Sequence, residues 1–200
     1  MSVLSKSEAN DVILFGSQAM SVYTERALAS KDLDLIVPGI TIRALEECCT
    51  ELARVAERRP DYDFHVGEYL GRRYPVAHIY LRHNSGYPLV VELFQTFLGH
   101  ESTRLTPFIT FKERWGMQVQ VLTPEAIIGT RLSFRPPERI TPFNAIRLSR
   151  FIRAIGKDID WSRVNSFIDS FGLRKLATEN IAELRSKRIS IPGSSNVVSQ

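Results

Sequence analysis

The chain has 200 residues, 44% of them hydrophobic and 24% charged, and carries a formal charge of +4. Those proportions belong to an ordinary globular protein long enough to bury a core without staples, with a mild bias toward anionic ligands. No run approaches the roughly 18 apolar residues of a membrane span, and the two cysteines, Cys48 and Cys49, are neighbours that cannot form an ordinary disulfide with each other. They lack the Cys/His spacing of a structural zinc site. The opening MSVLSKSEAND is polar and does not read as a signal peptide. A reducing, cytoplasmic setting with no membrane is the expectation.

In chain order, residues 1–10 read as a loosely packed start. Val12 to Phe15 is a short apolar strand ended by Gly16-Ser17. From Ser17 to about Ala27 the pattern turns helical, with Ser17 suited to cap it. Leu33 to Val37 is the next strand, closed by Pro38-Gly39. Thr41 caps a helix whose apolar positions, Leu45, Cys48, Cys49, Leu52, Val55 and Ala56, follow the 3.6-residue period up to Arg59-Pro60. The cysteines therefore read as core packing.

Tyr62–Val66, Tyr74–Leu81 and Leu89–Phe97 are rich in aromatic and branched residues, with His83-Asn84-Ser85-Gly86 between the last two as a hairpin signature. Residues 101–118 show no defined element. Val119–Leu122 is a last short strand, and Thr123-Pro124-Glu125 starts a helix with proline at its first position. From Phe143 the chain reads as helices over 143–155, 161–171 and 173–188, followed by a Ser- and Asn-rich tail expected to be disordered. The expected organisation is an α/β (α+β) domain over 1–122, a helical part over 123–191, and a disordered tail over 192–200.

The candidate chemistry centres on Asp32 and Asp34. In a strand, residues two apart point to one face, so the two carboxylates project together and repel unless something positive lies between them. A hard divalent cation with oxygen ligands, Mg²⁺ or Mn²⁺, is the usual remedy. Glu92 lies between apolar neighbours in Val90-Val91-Glu92-Leu93-Phe94. A charge so placed is costly unless paired or metal-bound; the alternative is an edge-strand glutamate facing water. Asp61 and Asp63 repeat the Asp-x-Asp spacing but follow Arg59-Pro60 directly, and read as a solvated strand entrance. Lys31 and Arg26 suit either phosphate contact or charge balance. The four histidines, His65, His78, His83 and His100, show no ligand spacing.

Strand, Gly16-Ser17, helix, and a strand carrying Asp32-Leu33-Asp34 together resemble the nucleotidyltransferase superfamily, the polymerase-β-like fold. The resemblance covers about the first 95 residues. It implies a nucleotidyltransferase-like mixed sheet flanked by helices, with Gly16 and Ser17 at the nucleotide's phosphates and Asp32 and Asp34 as metal ligands. It also implies a third carboxylate from a later strand, for which Glu92 is the candidate, although the family more often has Asp there. The implied reaction moves a nucleoside monophosphate from a nucleoside triphosphate to an acceptor hydroxyl, on an RNA or tRNA end, a protein or a small molecule. Thr123-Pro124-Glu125 followed by Arg131 is similar to the helix start and Lys of abortive-infection (AbiEii-type) toxin nucleotidyltransferases, which would imply an antitoxin partner. Arg131 is the candidate triphosphate contact. The acidic residue those relatives carry near the next helix start is missing from Thr141-Pro142-Phe143-Asn144. Together with the Glu at the third position, that gap leaves a second reading, a nucleotidyltransferase-fold protein that binds a nucleotide or a partner without turnover. Arg147, Arg150, Arg153 and Lys157 gather on one side of the helix from Phe143, as a solvated face or as a basic wall for phosphate or RNA.

Overall fold

The computed structural model describes residues 12–24, 32–54, 60–69, 71–81, 89–114, 116–133 and 142–198. It has two compact units, one of residues 1–22 with 27–121, the other of residues 23–26 with 122–200.

The first unit is built on a mixed sheet. Its strands are β1 (Ile13–Phe15), β2 (Asp32–Ile36), β3 (Asp61–Tyr69), β4 (Arg72–Leu81), β5 (Leu89–Phe94), β6 (Ile109–Arg114) and β7 (Met117–Leu122). They lie in the order β3-β4-β5-β2-β1-β7-β6. β3, β4 and β5 form an antiparallel meander. β2 runs parallel to β5 and antiparallel to β1, and β1 is parallel to β7. The strand bearing Asp32 and Asp34 therefore occupies the middle of the seven. Period-2 alternation sends Leu35, Leu93, Ala77 and Ile79 to one buried face. The other face carries Asp34 and Glu92 beside an aromatic group in which the Phe15 ring meets Phe94 and Phe97 edge-on at 5.1 and 5.8 Å. Offset and edge contacts of this kind are the favourable ring geometry.

Helix α1 (Gly16–Tyr23) follows β1 without a linker, and α2 (Ile42–Leu52) follows β2. Thr41 caps α2, its Oγ1 accepting from the Ala44 N–H at 3.2 Å. Leu45 and Cys49 supply its buried stripe, and burial pushes the half-buried Cys48 thiol above its usual pKa, which makes it a poor nucleophile. The helix closes at Ala53, and Val55 and Ala56 lie outside the described residues. The stretch expected to lack structure, 101–118, holds a 3-10 helix (Ser102–Phe108) and most of the β6–β7 pair. Its sequence hid this because Thr106-Pro107 interrupts any helical period, while the short helix is held by burial of Leu105 and Phe108.

The second unit contains α3 (Pro124–Leu132), α4 (Pro142–Ile155), α5 (Trp161–Ser170), α6 (Arg174–Ser186) and α7 (Ser195–Val198). Thr123 caps α3 with proline at the helix start. Asp160 caps α5, its Oδ1 accepting from the Ser162 N–H at 2.9 Å and the Ser162 hydroxyl at 2.6 Å. Tyr23 donates to the Leu122 carbonyl at 2.9 Å, and burial together with the nearby Glu125 charge raises its pKa. The expected disorder does not extend over residues 192–198. The Asn196 carbonyl accepts from Asn165 Nδ2 at 2.9 Å, the Val197 carbonyl accepts from Arg174 Nη1 at 2.8 Å, and Val197 is buried. Composition suggested a solvated tail, but these backbone acceptors have partners from α5 and α6.

Two outcomes follow for the helical unit. A Cβ on Gly129 would stand 2.5 Å from Phe167 Cδ1 and 3.2 Å from Cε1 of a ring with no exposure. Gly129→Ala gains about 1 kcal/mol of helix propensity but overpacks at a cost of about 1–3 kcal/mol. Urea denaturation is expected to show a net loss of stability. The Asp160 carboxyl is held below its usual pKa, first by the Ser162 hydrogen bond. A depressed carboxylate contributes stability above its unfolded pKa of about 3.9, lost as pH falls through the folded value. Asp160→Asn keeps a capping side chain and is expected to lack that acid-side decrement in a thermal melt series.

Candidate functional site

The site begins with backbone register. On adjoining parallel strands Asp34 stands opposite Glu92 and Asp32 opposite Val90. Residues opposite one another share a face, so Asp34 and Glu92 project side by side and Asp32 lies one pleat further along. Glu92 is thus on an interior strand, not an edge. Its side chain is 31% exposed, Asp34 is half-buried and Asp32 is exposed. The carboxylate group opens from the sheet toward water at its Asp32 end.

Gly16 completes this corner. Its φ is +67°, in the region where side chains are disfavoured. A Cβ there would fall on Asp34 Oδ2 and within 2.6 Å of its Cγ. The glycine therefore brings the start of α1 directly against the Asp34 carboxylate. Ser17 next to it is largely buried. Three hard oxygen donors on one face, with a backbone approach only glycine allows, suit Mg²⁺ or Mn²⁺ in chemistry. Lys31 lies outside the described residues. Arg131 is on α3, half-buried, in the second unit. On α4, Arg150, Arg153 and nearby Lys157 are exposed, and the Arg147 guanidinium lies 5.3 Å from the Phe143 ring centroid.

The carboxylate row continues beyond Glu92. His78 on β4 is opposite both Glu92 on β5 and Asp63 on β3. Its Nε2 is 3.5 Å from Glu92 Oε1 and its Nδ1 is 3.1 Å from Asp63 Oδ1. His65 Nδ1 reaches the same Asp63 oxygen at 3.3 Å, and Tyr80 donates to Asp63 Oδ2 at 2.7 Å. Asp61 and Asp63 are exposed at the start of β3, as the sequence suggested, but Asp63 is also the centre of a polar group, and His65 and His78 have partners that the histidine spacing did not suggest. Desolvation pushes the Asp63 carboxyl up, but the hydrogen bond from Tyr80 and the contacts with His65 and His78 outweigh it and hold it below the usual range. The same bond, with desolvation second, raises the Tyr80 phenol. The signal that could have found this group is the Asp-x-His pair at strand spacing; its third member depends on register across a hairpin.

No protein-family model matches the chain, and no curated protein sequence matches it. Among solved structures, it is similar to an antigenic nucleotidyltransferase-like protein from Paracoccidioides brasiliensis, at 17% identity and a TM-score of 0.45, over 99% of this chain and 89% of that one. It is also similar to JHP933 from Helicobacter pylori, at 13% identity and a TM-score of 0.49, over 98% of this chain and 82% of that one.

The Gly16 contact has a measurable consequence. A left-handed conformation costs a non-glycine residue roughly 1–2 kcal/mol, and the methyl group must also displace the Asp34 carboxylate. Gly16→Ala is expected to lower stability by more than the conformational term alone. In the double variant Gly16→Ala/Asp34→Ala part of the loss should return, as a non-additive coupling in chemical denaturation.

Proposed function

We propose that this chain is a divalent-metal-dependent nucleotidyltransferase, moving a nucleoside monophosphate from a nucleoside triphosphate to an acceptor hydroxyl. The observation that carries the reading is the pairing of Asp34 with Glu92 on interior strands, with Asp32 two residues along the same face. Carboxylates gathered on one face offer a divalent cation its oxygen ligands, and a cation bound by Asp32, Asp34 and Glu92 favours their ionised forms. Bound there, Mg²⁺ or Mn²⁺ supplies charge neutralisation for the triphosphate and for the oxygens exchanging at phosphorus.

The remaining roles belong to the chain. Gly16 lets the Asp34 carboxylate, and so a metal-bound phosphate, sit close to the start of α1. The first N–H groups of α1 and the Ser17 hydroxyl are the proposed donors to phosphate oxygens, where the helix dipole favours negative charge. Phe15 and Phe94 pack beside the carboxylates, which limits side-chain motion at the reacting end. An RNA end, a protein hydroxyl and a small-molecule hydroxyl are the acceptor classes such a site serves.

One observation favours a second reading. The Glu92 carboxylate faces the His78 imidazole at 3.5 Å, an arrangement that supports a nucleotide-binding protein without turnover. The two readings separate in one experiment. Purified protein is incubated with Mg²⁺ or Mn²⁺, each labelled triphosphate in turn, and RNA or protein acceptors. Transfer that falls to background in Asp34→Asn and Glu92→Gln is expected. Triphosphate-dependent thermal stabilisation with no transfer to any acceptor would instead support binding alone, and label transfer that persists in Asp32→Asn/Asp34→Asn would remove the assignment.

A further inference from the structure

The Asp63, His65 and His78 side chains converge on a single point. One ligand atom from each lies within 4.8 Å of the others. The two histidines present the same ring nitrogen, Nδ1, to one carboxylate oxygen, at 3.3 and 3.1 Å. Their rings are adjacent, with centroids 4.8 Å apart. Ligands about 2.0–2.1 Å from a tetrahedral metal are separated by about 3.3 Å along each edge; the two nitrogen–oxygen separations are close to that, and the third pair, within 4.8 Å, must draw together when an ion binds.

The surroundings match as well. A metal-binding imidazole ordinarily donates its other N–H to a carboxylate, which fixes the tautomer. His78 Nε2 faces Glu92 Oε1 at 3.5 Å, the arrangement that leaves Nδ1 for a metal. A ligating carboxylate is itself ordinarily hydrogen-bonded, and the Tyr80 hydroxyl donates to Asp63 Oδ2 at 2.7 Å. Asp63 and His65 side chains are each 48% exposed while His78 is 19% exposed. The group is anchored on one side and open to water on the other, giving an ion a route in and a fourth coordination position.

We propose that Asp63, His65 and His78 form a binding site for one divalent transition metal of the Zn²⁺ class, with the fourth position open. Two imidazoles with one carboxylate select such an ion over Mg²⁺ or Ca²⁺, which take oxygen ligands. Binding through Nδ1 requires each imidazole to be neutral with its proton on Nε2, so a neutral ring protonated on Nδ1 shifts that proton to Nε2, and an imidazolium releases its Nδ1 proton to solvent. The site adjoins the Asp32–Asp34–Glu92 group through His78 and Glu92 but has its own ligands. The β3–β4 pair lies two strand spacings from the β5–β2 pair, about 10 Å, beyond the 3.5–4 Å of a two-metal centre. The assignment does not rest on nucleotidyl transfer.

The test uses the untagged full chain, stripped with chelator and titrated with Co²⁺ under visible absorption, then with Zn²⁺ and Mg²⁺ as competitors. Expected are one equivalent of tetrahedral-type Co²⁺ signal, displacement by stoichiometric Zn²⁺, and none by excess Mg²⁺. His65→Ala and Asp63→Asn should weaken binding at least tenfold, and Glu92→Gln, which removes the carboxylate charge facing His78 as well as a ligand of the neighbouring carboxylate site, by about 10–100-fold. Asp32→Asn/Asp34→Asn should leave it unchanged. Absence of saturable binding, or binding that survives in a folded His65→Ala or Asp63→Asn, would overturn the site. Loss of binding in Asp32→Asn/Asp34→Asn would do the same by moving the metal to the other carboxylates.

Discussion

Two carboxylates placed side by side on adjoining interior strands constrain what can surround them. The Cα–Cβ bonds of Asp34 and Glu92 project to the same face of the sheet, because their backbones are paired residue for residue and the pleat dictates that face. Water reaches them only in part, so screening is weaker than at an open surface. Much around them can be understood as a response to that charge. α1 begins on a glycine at Asp34, His78 stands beside Glu92, and an aromatic group fills the space along the strands where further polar atoms would have needed partners.

The response is asymmetric. On the β1 side the acidic row ends against Phe15, which is opposite Asp34. On the β4 side it continues through His78 to Asp63 on the outermost strand of the meander. An imidazole between two carboxylates spreads the charge over a lateral row instead of leaving it at one point. Asp63, although exposed, is contacted by three side chains, His65, His78 and Tyr80, which restrains it more firmly than a surface aspartate.

Local chemistry made part of this visible in the amino-acid order. The Gly16-Ser17 turn, the Asp-x-Asp strand, the Thr41 cap and the Thr123-Pro124 helix start all depend on neighbours within a few residues. An apolar run with one embedded acid marked the Glu92 strand, because a charge in such surroundings needs an explanation. Pairing register is different information. Asp63 beside Arg59-Pro60 looked solvated, and only the β3–β4 alignment brings it to His78. The ordered residues 192–198 were hidden for a related reason. Their composition is polar, but Asn165 and Arg174, far away in sequence, supply donors for their backbone carbonyls.

The strand order also separates the sheet by the distance the chain must close. β3, β4 and β5 are consecutive and antiparallel, so they can pair through short connections with little loop-closure entropy. β2 must meet β5 across the whole meander, with residue 34 opposite 92, and β1 must meet β7 with residue 13 opposite 120. Contacts of such long range slow folding. The meander can therefore assemble with His78 already next to Glu92 before Asp34 arrives, so that the second acid docks against a carboxylate whose charge is already partly answered. In that order of events the contact between the two acids forms only when the middle of the sheet closes, a matter separate from anything bound in the finished structure.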